Sequence, residues 1–185
     1  MRPNFKPLLA VLAILASCGV NTPVSYVSYS PSYSPGEELY AGNQVPVVIR
    51  GNPFAMPQPE FDSATLAAMQ GWAFRPAQFV PAIDPNAVYR VVLIFYPPGN
   101  TTGTILCQRP LTANAAFGLP PAPQAPFSAA LCRGDASLAD VFGRIGTEGG
   151  PGGAPFRRGV GQVIASLFPP QNPQNRPDHC SGVDC

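Results

Sequence analysis

Lysine stops at Lys6 in this 185-residue chain, a single histidine stands at His179, and charged side chains make up only 11%. Each shortage excludes something. A nucleic-acid partner needs a basic surface, yet once Arg2 and Lys6 are set aside nine arginines face ten acidic residues. The exclusive use of Arg in the remainder reads as a coding bias, not as nine demands for bidentate chemistry. A lone histidine would have to serve any Ser or Cys triad, and no G-x-S-x-G elbow exists for it to serve. No apolar run is long enough to cross a bilayer; the longest, residues 8–16 (LLAVLAILA), stops well short.

What is plentiful is proline, at 25, and glycine, at 18. Together they specify a loop-rich fold with short regular elements and exclude a helical bundle. With an amino-terminal signal and a polar tail set aside, about 130 residues remain, enough for one compact domain.

Arg2 and Lys6 precede the apolar run, which ends in Leu15-Ala16-Ser17-Cys18. Positive region, apolar core and small residues before a cut form an export signal. The last four residues resemble the lipobox of bacterial lipoproteins at every position. That resemblance implies cleavage between Ser17 and Cys18, a diacylglyceryl group on the Cys18 thiol, and a further acyl chain such as palmitate on its amine. Several chains on one residue make a durable anchor, since each buried methylene adds about 0.8 kcal/mol. Gly19 follows the cysteine where an Asp would imply retention in the inner membrane. The expected location is therefore the outer membrane of a diderm cell, facing the periplasm, or the outer face of the cell membrane otherwise.

Four segments follow: residues 1–17 as signal peptide, 18–43 as the lipidated cysteine and a tether, 44–168 as one α+β domain, and 169–185 as a polar tail. The tether is expected from residues 21–36 (NTPVSYVSYSPSYSPG), a Ser/Tyr/Pro stretch too polar and proline-interrupted to form core. Tyr26, Tyr29 and Tyr33 have helix-like spacing, but Pro31 and Pro35 rule out a helix.

Within the domain, residues 45–50 (VPVVIR) read as a strand closed by a Gly51-Asn52-Pro53 turn. A short helix capped by Asp62 or Ser63, carrying Leu66 and Met69, ends at Gly71. Residues 87–96 (AVYRVVLIFY) are apolar on both faces and read as a central strand. Residues 104–108 (TILCQ) read as its antiparallel return, and 127–133 (FSAALCR) as a further strand. Leu138, Val141, Phe142 and Ile145 recur at helical spacing, as do Phe156, Val160, Val163, Ile164 and Leu167. The expected fold is a two-layer, loop-rich α+β domain: a small, mainly antiparallel sheet of about four strands under two or three short helices.

Four cysteines remain after Cys18, an even number in an exported chain, so disulfides are the default. The favoured pairs are Cys107 with Cys132, joining neighbouring strands, and Cys180 with Cys185 in the tail. Asp178, His179 and Asp184 beside those tail cysteines form a superficial metal set, outweighed by the disulfide. Glu60 with Asp62, and Asp135 with Asp140, are conceivable acid and base pairs with duller roles at helix starts. Gly149 to Gly153 lacks the ending of a phosphate loop, Arg157 and Arg158 after it read as a solvated loop, and Arg133-Gly134-Asp135 is a three-residue adhesion motif easily matched by chance. No catalytic residue, metal or cofactor is implied.

The expected function is that of a membrane-anchored, non-enzymatic binding or structural module. Its partners are the bilayer, through Cys18, and another envelope protein, met by a sheet edge or by the aromatic segment with Trp72, Phe74 and Phe79. The alternative is an envelope enzyme built on Arg50, Arg90 or Asp84, which would require a deep cleft.

Overall fold

A computed structural model describes residues 23–36, 43–99, 101–108 and 122–175. The chain forms strand β1 (Val24–Tyr29), strand β2 (Gln44–Arg50), helix α1 (Gln58–Met69), strand β3 (Gln78–Pro81), strand β4 (Tyr89–Phe95), helix α2 (Gly103–Gln108), strands β5 (Gln124–Arg133) and β6 (Ala136–Gly146), and helix α3 (Ala154–Leu167). The class is α+β as expected. The sheet has six strands, not about four, in the order β1-β6-β5-β4-β2-β3. It is mixed: β2 pairs in parallel with both β3 and β4, and the other three pairings are antiparallel.

Side chains alternate across a strand, so each strand splits its apolar residues between two faces. One face carries Val47 and Ile49 from β2, Leu93 and Phe95 from β4, Phe127 and Leu131 from β5, and Val141 and Ile145 from β6, all buried. Helices α1 and α3 cover it with Phe61, Met69, Phe156, Val160 and Ile164. The Phe61 ring meets Phe95 edge-on at 5.3 Å between centroids, and Phe54 meets Phe156 at 5.2 Å. Such pairs add about 1 kcal/mol each to what burial alone provides. The opposite face carries a smaller cluster, Val92, Ile94, Ala130 and Cys132, under Leu106 and Cys107 of α2. Central strand β4 is thus covered on both sides, which is why its sequence is apolar without alternation.

Several local expectations are overturned. Residues 104–108 belong to α2 rather than to a returning strand, because the face opposite α1 and α3 needs its own cover. Residues 138–145, expected as a helix, lie in β6, where Val141 and Ile145 face the core while Asp140, Phe142 and Arg144 face the other way. Their apparent 3.6 period arises from a β-bulge that leaves both Leu138 and Ala139 buried. Gly134 and Asp135 form the two-residue turn of the β5–β6 hairpin, with Gly134 at φ 58°. Helix α1 begins at Gln58, ahead of the expected caps, with Pro59 in its first turn and Glu60 near the positive end of the helix dipole.

The domain also begins before residue 44. Tyr29 donates its hydroxyl to the Ser166 carbonyl (2.8 Å), and Tyr33, buried, donates to that of Pro169 (3.0 Å). From beyond α3, the Asn172 amide reaches back to the carbonyls of Ser30 (3.0 Å) and Tyr33 (3.1 Å). Residues 23–36 and 169–175 therefore belong to the folded unit, where a tether and a polar tail were expected.

Candidate functional site

Ser17 and Cys18, the tail cysteines Cys180 and Cys185, and His179 lie outside the described residues. Cys107 and Cys132 form a disulfide. It ties helix α2 to strand β5, a different geometry from the strand-to-strand bridge expected, and both residues are buried. Arg90 lies directly opposite Cys132 in the β4–β5 register and so shares its face. Its buried guanidinium donates to the carbonyls of Ala87 (2.9 Å), Gly134 (3.0 Å) and Cys107 (2.5 Å). Backbone dipoles from a loop, a hairpin and the end of α2 thus solvate one buried cation, a structural use of the residue.

Arg50 and Arg90 do share a cleft, floored by Val48, Val92, Ile94 and Leu106. Its volume of about 30 Å³ accommodates about one water. Asp84 lines a different depression, so the three residues do not converge. On the same side of the sheet the Asp140 carboxylate accepts the backbone N–H of Gly103 at the start of α2, and burial pushes its carboxyl above the usual range. Gly103 has no room for a side chain, since a Cβ would overlap Asp140 and Ser137. Asp62 is also raised by burial, opposed by a hydrogen bond from Gln58 (2.7 Å) and by the Arg50 charge. Asp135 sits in the β5–β6 turn and Asp140 inside β6, so neither stands at a helix start as expected. Among the described residues no group of three His, Cys, Asp or Glu is placed to hold a metal, and no helix is long and apolar enough to cross a membrane.

The aromatic segment divides. Trp72 is 43% exposed and Phe74 60%, but Phe79 is only 3% exposed. Phe79 leaves the candidate surface: its parity in β3 turns it toward the helical layer, where Phe168 meets it edge-on at 5.7 Å. The Trp72 indole lies on Gly161 of α3, occupying the space a Cβ there would need. A rigid helix thus holds a half-exposed indole in place. Phe74 stands at the rim of an open trough of about 600 Å³, whose other lining includes Asn43, Gln44, Arg75 and Gln78.

Strand direction fixes where this trough lies. β2, β3, β4 and β6 run one way and β1 and β5 the other. Gln44 and Gln78 open β2 and β3, so the trough sits at one end of the sheet, while β1 starts at the other. Sequence reasoning missed a third aromatic feature: Tyr26 of β1 and Phe142 of β6 stack at 4.9 Å with 19° between planes, and both remain nearly half exposed. The β-branched and aromatic residues of VSYVSY were the available signal for β1.

No known protein family matches the chain, and no curated protein matches it. Among solved structures it is similar to a PelC dodecamer from Paraburkholderia phytofirmans, 14% identical, with 79% of this chain and 97% of that one covered at a TM-score of 0.41. That is a slight likeness, too weak to carry a functional inference.

Proposed function

We propose that this chain is a lipid-anchored module of the bacterial cell envelope, held through Cys18 at the outer membrane of a diderm cell and facing the periplasm. It binds another envelope protein through Trp72 and Phe74 and performs no chemistry of its own. The observation that carries the reading is the display of those two rings: an exposed indole braced on Gly161 and an exposed phenyl at the rim of an open trough. Large aromatic side chains held outward on a rigid frame suit recognition, because little side-chain freedom is lost on docking. The trough lies at the end of the sheet remote from the start of β1, which leads back to Cys18, so a partner can reach it on an anchored domain.

Intact-mass measurement on protein taken from membranes, with Cys18→Ala beside it, tests the anchor. A mature chain beginning at Cys18 and carrying lipid is expected, with that mass absent from the variant; a chain beginning elsewhere overturns the reading. A photo-crosslinker at Phe74, compared with one at exposed Arg158, tests the binding surface in intact cells. A discrete adduct specific to position 74, lost with Trp72→Ala, is expected, and equal labelling from both positions counts against it.

A further inference from the structure

Cys18 precedes Pro23 by only five residues. Extended chain spans at most about 3.6 Å per residue, which keeps Pro23 within about 18 Å of a lipidated Cys18. The Pro23 carbonyl accepts the N–H of Arg144 (2.8 Å) and fills the space where Gly143 would carry a side chain. Whatever surrounds the start of β1 is therefore brought to the bilayer together with it.

Two exposed aromatic rings and a cation surround it. Tyr26 and Phe142 form the stacked pair described above, and Arg144, exposed, follows two residues along the same face of β6. A tyrosine joins an apolar ring to a polar hydroxyl, which suits the boundary between acyl chains and headgroups, and an arginine suits anionic phosphate there. The nearest carboxylate on that face of β6, Asp140, is engaged with Gly103 of α2.

We propose that the β1–β6 edge is the membrane-facing surface of the domain, with Tyr26 and Phe142 seated in the headgroup region of a phospholipid bilayer and Arg144 on its phosphates. The proposal rests on the lipidated reading of Cys18. It also sets the orientation: strands β1 and β6 lie low, and the Phe74 trough, lined from β2 and β3 toward the opposite edge of the sheet, points away from the bilayer.

The test uses the full mature lipoprotein in vesicles of phosphatidylethanolamine and phosphatidylglycerol, with and without brominated acyl chains. Trp72 is the chain's only tryptophan, so Phe142→Trp in a Trp72→Phe background places a single reporter at the proposed contact, and Tyr26→Trp in the same background supplies a second should the first not fold. Either introduced indole is expected to lose emission about two-fold in brominated vesicles, while Trp72 in the wild-type chain keeps its emission. Equal emission in both vesicle types, with lipid on Cys18 verified by mass, overturns the contact surface and leaves the anchor intact. Absence of lipid from Cys18 overturns the anchor itself. Emission that changes with protein density but not with bromination identifies a second copy of the chain as the occupant and overturns the bilayer.

Discussion

Arg90 donates its shortest hydrogen bond to the carbonyl of Cys107, whose sulfur is bonded to Cys132, the residue directly across the sheet from Arg90. Guanidinium and disulfide thus hold α2 against the sheet from two sides. Arg90→Met leaves three carbonyls without their donor, and hydrogen bonds to charged groups are worth about 1.5–3 kcal/mol each. Because Met also relieves the cost of burying the cation, urea unfolding is expected to show a net loss of about 3 kcal/mol. Arg90→Lys should recover less than half of it, because one ammonium does not reproduce the planar fork. Full recovery by Lys would show that charge alone matters at this position.

Removing the disulfide is expected to have a comparable effect. It joins residues 25 apart in sequence, and closing such a loop stabilises by about 3 kcal/mol through the unfolded chain. Cys107→Ala with Cys132→Ala should lower stability by that amount while keeping the fold. In the native protein both sulfurs are buried. Reduction, followed by alkylation and mass, should therefore be far slower in the folded protein than in the urea-unfolded chain at the same reductant concentration; equal rates would contradict the burial.

Thr65 on α1 is fully buried and its hydroxyl has no hydrogen-bond partner among the described residues. An unsatisfied buried hydroxyl costs about 1–3 kcal/mol relative to an apolar group of the same shape. Thr65→Val keeps the branched outline and is expected to raise stability by about 1 kcal/mol. A loss on thermal or urea unfolding would mean that the hydroxyl is in fact served.

The chain's single tryptophan reports on its own brace. Gly161→Ala puts a methyl where the Trp72 ring lies, so the indole must swing outward and its emission shift to longer wavelength. Gly152→Ala, with open space around it, should leave the spectrum unchanged.

Burial holds the Asp62 carboxyl above its ordinary value of 3.8, so the folded state binds this proton more tightly than the unfolded chain does. The resulting stability is fully present below the unfolded pKa and is lost as pH rises through the folded one. Asp62→Asn, which still accepts from Gln58, should flatten that decline between strongly acidic and neutral pH and leave the neutral form more stable than wild type. Unfolding midpoints measured across this window decide the sign; a steeper decline in the variant would overturn it.

Much of the main core was legible because its pattern follows directly from secondary-structure period. β4 announced itself as a run apolar on both faces, and α3 as apolar residues at positions 156, 160, 163, 164 and 167, all buried. The Cys107–Cys132 pairing was legible from cysteine count, but not its geometry, because TILCQ is β-branched enough to pass for a strand and only the uncovered second face of the sheet makes it helical. β6 was misread since a bulge places two successive residues inside, and β1 was hidden in a segment whose composition suggests a tether. Two of its tyrosines are held by the fold instead, Tyr29 and Tyr33 through their hydroxyls, while Tyr26 stacks on Phe142 and stays half exposed. Of the candidate surface, Trp72 and Phe74 are exposed and Phe79 is not, a difference set by strand parity in the short β3, which its sequence does not advertise.

Strand β1 has a mechanical consequence. It is an edge strand, antiparallel to β6, and its far end is fastened by the Tyr29 and Tyr33 hydroxyls and the Asn172 amide. On a chain tethered at Cys18, tension enters at Pro23 along the axis of the strand and loads the β1–β6 hydrogen bonds in shear, all together, instead of unzipping them one by one. Loaded in that direction, the strand gives way only when the whole ladder fails at once.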